Sequence, residues 1–292
     1  MMISNDGTKR GALAGVSMRS LIVATALGAV LVVASAWSSE ALAKKIEDVR
    51  KLPSFTKIEA SGSSDVIIKV GKKQSVVVHA EDDEVSEIKT KVTNGELKIW
   101  RKNKRMSFSR HSARIVITVP ALTRLVSQGS GDASVSNMKA KKFKLVQQGS
   151  GDVDITGTCD EIDITSQGSG DLESARLDCD IIDVSLRGSG DMDLEVVTSK
   201  SFALDAVGSG DVTISGSCND FDLEHRASGD VDARRFKCKK VAVDATGSGD
   251  MRVFASDEVS IGIRGSGDVE VYGGGRATEI STSGSGSVHV RK

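Results

Sequence analysis

Phe143-Lys-Leu-Val-Gln-Gln-Gly-Ser-Gly-Asp-Val-Asp-Ile155 puts its apolar residues and both of its glycines on one parity. Phe143, Leu145, Gln147, Gly149, Gly151, Val153 and Ile155 alternate with mostly polar neighbours, the period of a half-buried β-strand. Phe202 to Ile214 and Val241 to Val253 repeat the pattern, again with two glycines in phase with the apolar set. Those glycines therefore face inward, where a Cβ would obstruct a close approach or a sharp bend. The Ser and Asp of each motif point to water.

Working outward, Gly-Ser-Gly-Asp starts at Gly129, Gly149, Gly168, Gly188, Gly208, Gly247 and Gly265, with Ala227-Ser-Gly-Asp in the series and Gly284-Ser-Gly-Ser closing it. Successive starts lie 20, 19, 20, 20, 19, 20, 18 and 19 residues apart. That period is too short for a helix pair and suits one coil of a solenoid. From the first inward residue to the motif Gly the spacing is constant, and the slack falls in the connectors. In-register ladders cannot absorb a residue, whereas surface turns can. The pattern predicts an all-β chain: a parallel β-solenoid of eight or nine coils over 125–292, right-handed by the general rule for parallel crossovers.

Residues 44–124 read differently. Strand patterns at Asp65 to Val70, Ser75 to Ala80, Leu97 to Trp100 and Arg114 to Val119, a turn at Asn94-Gly95 and a short helix near Asp82 predict an N-terminal β cap that shields the first coil. Ser61-Gly62-Ser63-Ser64-Asp65 is a degenerate copy of the motif within it. Ahead of the cap, Lys9, Arg10 and Arg19 precede an apolar run from Leu21 to Ala36, then Ala41-Leu42-Ala43. This is the order of a secretory signal peptide cut after Ala43, and sixteen apolar residues fall short of the ~20 a spanning helix needs. The mature chain is thus expected to be periplasmic or secreted, with no transmembrane segment after cleavage.

Composition narrows the classes. Two Pro in 292 residues and a net charge of −1 exclude collagen-like, Pro-rich and polyelectrolyte chains, and 3% aromatics predict a thin aliphatic interior. Cys159, Cys179, Cys218 and Cys238 each stand three residues before the next inward strand position. With coils ~4.8 Å apart, only Cys159 with Cys179 and Cys218 with Cys238 joins neighbours. Export favours their oxidation over a zinc site, for which no His shares the register.

Charge separates the two parts. Residues 44–124 carry 18 Lys and Arg against 10 Asp and Glu, a net of +8; residues 125–292 carry 18 against 28, a net of −10. Arg101, Lys102, Lys104, Arg105 and Arg110, with Trp100 and Phe108 interleaved, form a basic patch that reads first as a solvated hairpin tip between Leu97 and Ile115, with binding of an anion such as an envelope glycan as the alternative. Export removes nucleic acid from its reach. The solenoid's most specific feature is the acidic column Asp132, Asp152, Asp171, Asp191, Asp211, Asp230, Asp250 and Asp268. Stacked carboxylates ~5 Å apart repel by about 1 kcal/mol per contact even in water. Hydrogen bonds from nearby backbone N–H or Ser hydroxyls offset this locally. Bound Ca2+ is the alternative, but one Asp per coil lacks its ligand count, and no cofactor is assigned.

The Gly-Ser-Gly-Asp-Val-x-Ile unit, its recurrence, Asn94-Gly-Glu-Leu-Lys-Ile99 and Arg114-Ile-Val-Ile-Thr-Val-Pro-Ala-Leu122 together resemble bacterial proteins carrying the "putative auto-transporter adhesin, head GIN domain". The resemblance spans nearly all of the mature chain and implies an exported β-solenoid named for adhesion. Function follows as a non-enzymatic binding, adhesion-like or envelope scaffold module with a repetitive acidic face, its partner an envelope glycan or cell-surface component. The alternative is a polysaccharide-processing β-helix enzyme. Its best mark is His225-Arg226-Ala227, where imidazole takes an inward position and Ala replaces the first Gly.

Overall fold

The computed structural model describes residues 45–102 and 113–291. Contacts divide the chain into Met1–Leu42 and Ala43–Lys292, and the described residues all lie in the second unit. Residues 1–43, where the leader is expected, and the basic residues Lys104, Arg105 and Arg110 lie outside them.

Strands β1 (Lys45–Val49), β2 (Lys57–Gly62), β3 (Asp65–Val70) and β4 (Ser75–Glu81) lead into a one-turn helix α1 (Asp82–Val85). Strands β5 (Ile88–Thr93), β6 (Glu96–Arg101), β7 (Arg114–Val119) and β8 (Arg124–Gly129) follow. Asn94 and Gly95, at φ 51° and 72°, make the tight turn that sets β5 antiparallel to β6. The repeats then form long, bent strands: β9 (Ala133–Gly149), β10 (Val153–Gly168), β11 (Leu172–Gly188), β12 (Met192–Gly208), β13 (Val212–Ala227), β14 (Val231–Gly247) and β15 (Met251–Gly265). The stack finishes with β16 (Val269–Tyr272), β17 (Arg276–Gly284) and β18 (Val288–Val290).

Each long strand pairs in parallel with the next, and the whole is a β-solenoid of about eight turns. Motif glycines stay in register, Gly149 against Gly168 and Gly168 against Gly188. The register slips instead in the connectors, between Asp154 and Thr156, Ser174 and Leu177, Val196 and Ser199, and Ala233 and Lys237. Length variation is absorbed there, as the constant strand spacing requires.

Ladders also place the degenerate motif. Gly62 pairs with Gly129, and Val66 with Ala133, so β2 and β3 stack directly on the repeats as a coil of their own. Residues 71–123 are inserted after it. From this insertion β6 and β7 add parallel strands to β2 and β3, and β5 and β4, with β1 from ahead of β2, close the stack with antiparallel pairs.

Parity alone places both motif glycines inward, but only the second, as at Gly151, Gly170 and Gly229, is buried, while the first, as at Gly168, Gly188 and Gly208, is exposed at the corner; what both approach is the coil before them. A Cβ on Gly149 would meet the Gly129 carbonyl oxygen at 2.1 Å, and one on Gly151 the Gly131 oxygen at 2.2 Å. The obstruction is thus the preceding coil along the axis, and not an opposing wall. The first motif Gly also lies at φ between 121° and 155° throughout the series.

The interior is aliphatic, with Ile155, Ile162, Ile182, Leu194 and Ile214 fully enclosed. One aromatic knot interrupts it, where Phe202, Phe221 and Phe236 meet edge to face at centroid separations of 5.2–5.7 Å. Cys159–Cys179 and Cys218–Cys238 are bonded between adjacent coils, with Cα atoms 4.5 and 4.4 Å apart.

Candidate functional site

The stacked corners bring the acidic column together. Each Asp side chain accepts the backbone N–H of the Asp one coil on. Asp152 donates to Asp132 Oδ1 at 3.0 Å, Asp171 to Asp152 at 2.9 Å, Asp191 to Asp171 at 2.8 Å and Asp211 to Asp191 at 2.8 Å. Asp230, Asp250 and Asp268 continue the series at 2.8, 2.8 and 2.9 Å. In return, the residue after each Asp donates its N–H to the carbonyl of the next Asp, as Val153 does to Asp171 at 2.9 Å. Every carboxylate is therefore fixed by an N–H dipole, the local means of offsetting like charge in a column.

Two ends of this ladder escape the repeat pattern. Asp65 begins it, accepting the Asp132 N–H at 3.4 Å, and Ser287 ends it by donating both its N–H and its hydroxyl to Asp268 Oδ1 at 2.8 Å. The Ser287 donors hold the Asp268 carboxyl below the usual carboxylate range. Sequence signals for both ends exist, in Ser61-Gly62-Ser63-Ser64-Asp65 and Gly284-Ser-Gly-Ser287, but their partners appear only once the coils are stacked. Among the described residues no cluster of His, Cys, Asp or Glu is arranged to hold a metal ion.

Of the basic patch, Arg101 and Lys102 are described. Arg101 is held by the buried Glu84 carboxylate at 2.9 Å and reaches Ser63 Oγ at 3.4 Å, so its charge serves the fold. Outward on the same sheet stand Lys98, paired with Glu59 at 2.7 Å, and the half-exposed Trp100. Lys89 faces Trp100 across the β5–β6 ladder, and Lys91 faces Lys98.

A third feature is an open groove of about 920 Å3 on the outer face of the strands that precede each corner. Ala203, Ala242, Ser260 and Gly262 line it together with the carboxylates Asp183, Asp205, Asp222, Glu224 and Asp244. Burial pushes the Asp183 carboxyl up, with Asp163 and Glu161 adding to the effect. His225 does not reach this groove. It is 1% exposed, faces the interior and hydrogen-bonds with the Gly229 backbone. Burial pushes its imidazole down from the usual value.

One outward column was not singled out by sequence reasoning. Gln128, Gln148 and Gln167 each directly precede a motif Gly and stack in register. Gln128 Nε2 donates to Gln148 Oε1 at 2.8 Å, and Gln148 Nε2 to Gln167 Oε1 at 3.3 Å. The Gln-Gly-Ser-Gly spelling in three consecutive units was the available signal.

Solved structures share this architecture. A "putative adhesin" from Parabacteroides distasonis ATCC 8503 superposes with a TM-score of 0.63 at 17% identity, and a "putative lipid binding protein" from the same organism with 0.59 at 20%. A "putative adhesin" from Bacteroides fragilis NCTC 9343 gives 0.53 at 19%. Each alignment covers 85% of this chain and 97% of the other. At such identities the likeness is one of fold. No curated protein matches the sequence. The family model described as "Putative auto-transporter adhesin, head GIN domain" matches residues 54–176 and 172–275. The chain belongs to that GIN-domain family.

Proposed function

We propose that the chain from about Lys44 onward is exported after removal of its leader and acts, without catalysis, as an adhesion-like binding module of the bacterial envelope. The observation that supports this best is repetition: the same polar groups recur at each rung, on a frame held by continuous ladders and two disulfides. A ligand meeting such a face makes many equivalent weak contacts whose effects multiply. Residues 44–124 serve as cap and 125–292 as the repeating face, with the Asp132 to Asp268 column as its acidic edge. Two further facts favour export: the leader pattern and the paired cysteines.

The interior, filled by side chains such as Phe202 and Ile214, leaves a lipid tail no evident place inside, which favours a surface ligand of polar chemistry. The groove carboxylates favour display over turnover, since they recur along the coils. Incubating the mature protein with envelope polysaccharides tests the reading. Binding without release of new reducing ends is expected. Steady release of reducing ends would establish an enzyme instead.

A further inference from the structure

We propose that the outward column from Trp100 through Ser61, Gln128, Gln148 and Gln167 to Arg187 is a track for an acidic polysaccharide lying along the solenoid axis. The proposal rests on the binding-module reading above and names its site and ligand class.

Register makes the column continuous. Ser61 pairs with Gln128, Gln128 with Gln148, Gln148 with Gln167, and Gln167 with Arg187. Trp100 follows Ile99, whose partner is Ala60, so it stands beside Ser61 at the head of the line. Rungs ~4.8 Å apart advance about as far as one sugar ring does in an extended polysaccharide.

Hydrogen bonding arms the track. Ser61 Oγ donates to Gln128 Oε1 at 3.3 Å, and the two amide bonds that follow fix Gln128, Gln148 and Gln167 in a row. An amide carries two N–H donors, and the ladder uses one on Gln128 and one on Gln148. The second has no protein partner among the described residues. Sugar hydroxyls accept from such donors. Trp100 is 38% exposed and offers a ring face for the apolar side of a sugar.

Charge selects an acidic ligand. Lys89 and Lys91, on the strand beside Trp100, make no ion pair among the described residues, and the 44–124 segment carries a net of +8. Past Arg187 the amide ladder stops at Val207 and the column continues to Arg226, while Asp205, Glu224 and Asp244 beside it are held in ion pairs with Arg187, Arg226 and Arg264. The row of amides thus ends at Gln167, which gives the track a fixed end.

The probe is polygalacturonate, with neutral dextran and phosphatidylglycerol vesicles as comparators, titrated against the mature protein by calorimetry. Binding to polygalacturonate alone is expected, weakening as salt rises. Trp100→Ala and the double variant Lys89→Glu/Lys91→Glu should each weaken it about tenfold or more, with melting temperatures within a degree or two of wild type. Gln148→Leu, which removes the amide but keeps bulk, should weaken it with Trp100 intact. Equal binding by dextran, or binding to vesicles in place of the polymer, overturns the ligand class. Wild-type affinity in the Trp100 and Lys variants overturns the track while leaving a binding module. Failure of wild type to bind polygalacturonate also ends the proposal, and the wider reading then stands or falls on its own polysaccharide assay.

Discussion

Two residues of the repeats show what single positions contribute. Gly208 lies at φ 142°, and a Cβ there would come within 1.8 Å of the Gly188 carbonyl oxygen. Backbone atoms cannot yield as a flexible side chain can, so Gly208→Ala should destabilise by about 3–5 kcal/mol in urea titrations. Gly262 is the control: its nearest atom to a new Cβ is Asp244 Oδ1 at 3.7 Å, and Gly262→Ala should stay within about 0.5 kcal/mol of wild type. Equal effects at the two sites would refute the stacking account of the motif glycines. His225 occupies the interior column that Gln147 occupies four coils earlier. Gln147 Nε2 donates to the carbonyl of Gly151, four residues on, at 2.8 Å, and His225 bonds the Gly229 backbone at the same offset. Burial holds the imidazole below its ordinary value of 6.5, with the Gly229 bond and nearby Asp230 opposing. The unfolded chain therefore takes up the proton first as pH falls below 6.5, and stability is lost from there down to the folded-state pKa. His225→Gln should keep the backbone bond and remove this loss. Melting curves at pH 8 and pH 5 should show the wild type falling further than the variant; parallel falls would rule the effect out.

At the scale of elements, the corner is a hydrogen-bonded ladder in which carboxylate geometry matters more than carboxylate charge. Asp211 accepts from Asp230 and its own N–H donates to Asp191, both at 2.8 Å. Asp211→Asn keeps an Oδ1 acceptor and removes one repelling charge, so its melting temperature should equal or exceed wild type, most of all at low salt. Asp211→Ala strips the acceptor and should cost about 1 kcal/mol. If Asn proves as harmful as Ala, the charge itself is required, as it would be by a cation bridging the column, and chelator would then lower the melting temperature. The repeating elements were legible because their period is spelled out and because fixed strands with variable connectors leave a record in the spacing. The coil formed by β2 and β3 was harder to see as one of the series. An insertion of 71–123 separates Gly62 from its partner Gly129, so no period connects them, and only the ladder does. The glutamine column was written in the sequence too, yet residues outside the inward parity carry no burial signal, and their alignment emerges only from register.

Across the second unit as a whole, stability should be graded along the axis. Each coil contacts only its neighbours, so local stability follows the local interfaces. The middle is the strongest: β12, β13 and β14 supply the three-Phe knot, and Cys218–Cys238 joins the last two of them. Cys159–Cys179 ties β10 to β11. Each bond spans 20 residues and contributes about 3 kcal/mol by restricting the unfolded chain. The far end is weaker, since β17 is exposed along its whole length and Ile280 and Val290 are each 47% exposed. Hydrogen exchange read by mass spectrometry should therefore be slowest in β12 to β14 and fastest in β17 and β18. Adding reductant should speed exchange in β10, β11, β13 and β14 while leaving β17 unchanged, because the end coil gains nothing from either bond. Uniform protection along the chain, or a reductant effect that spreads evenly to β17, would mean that the coils melt as one cooperative block.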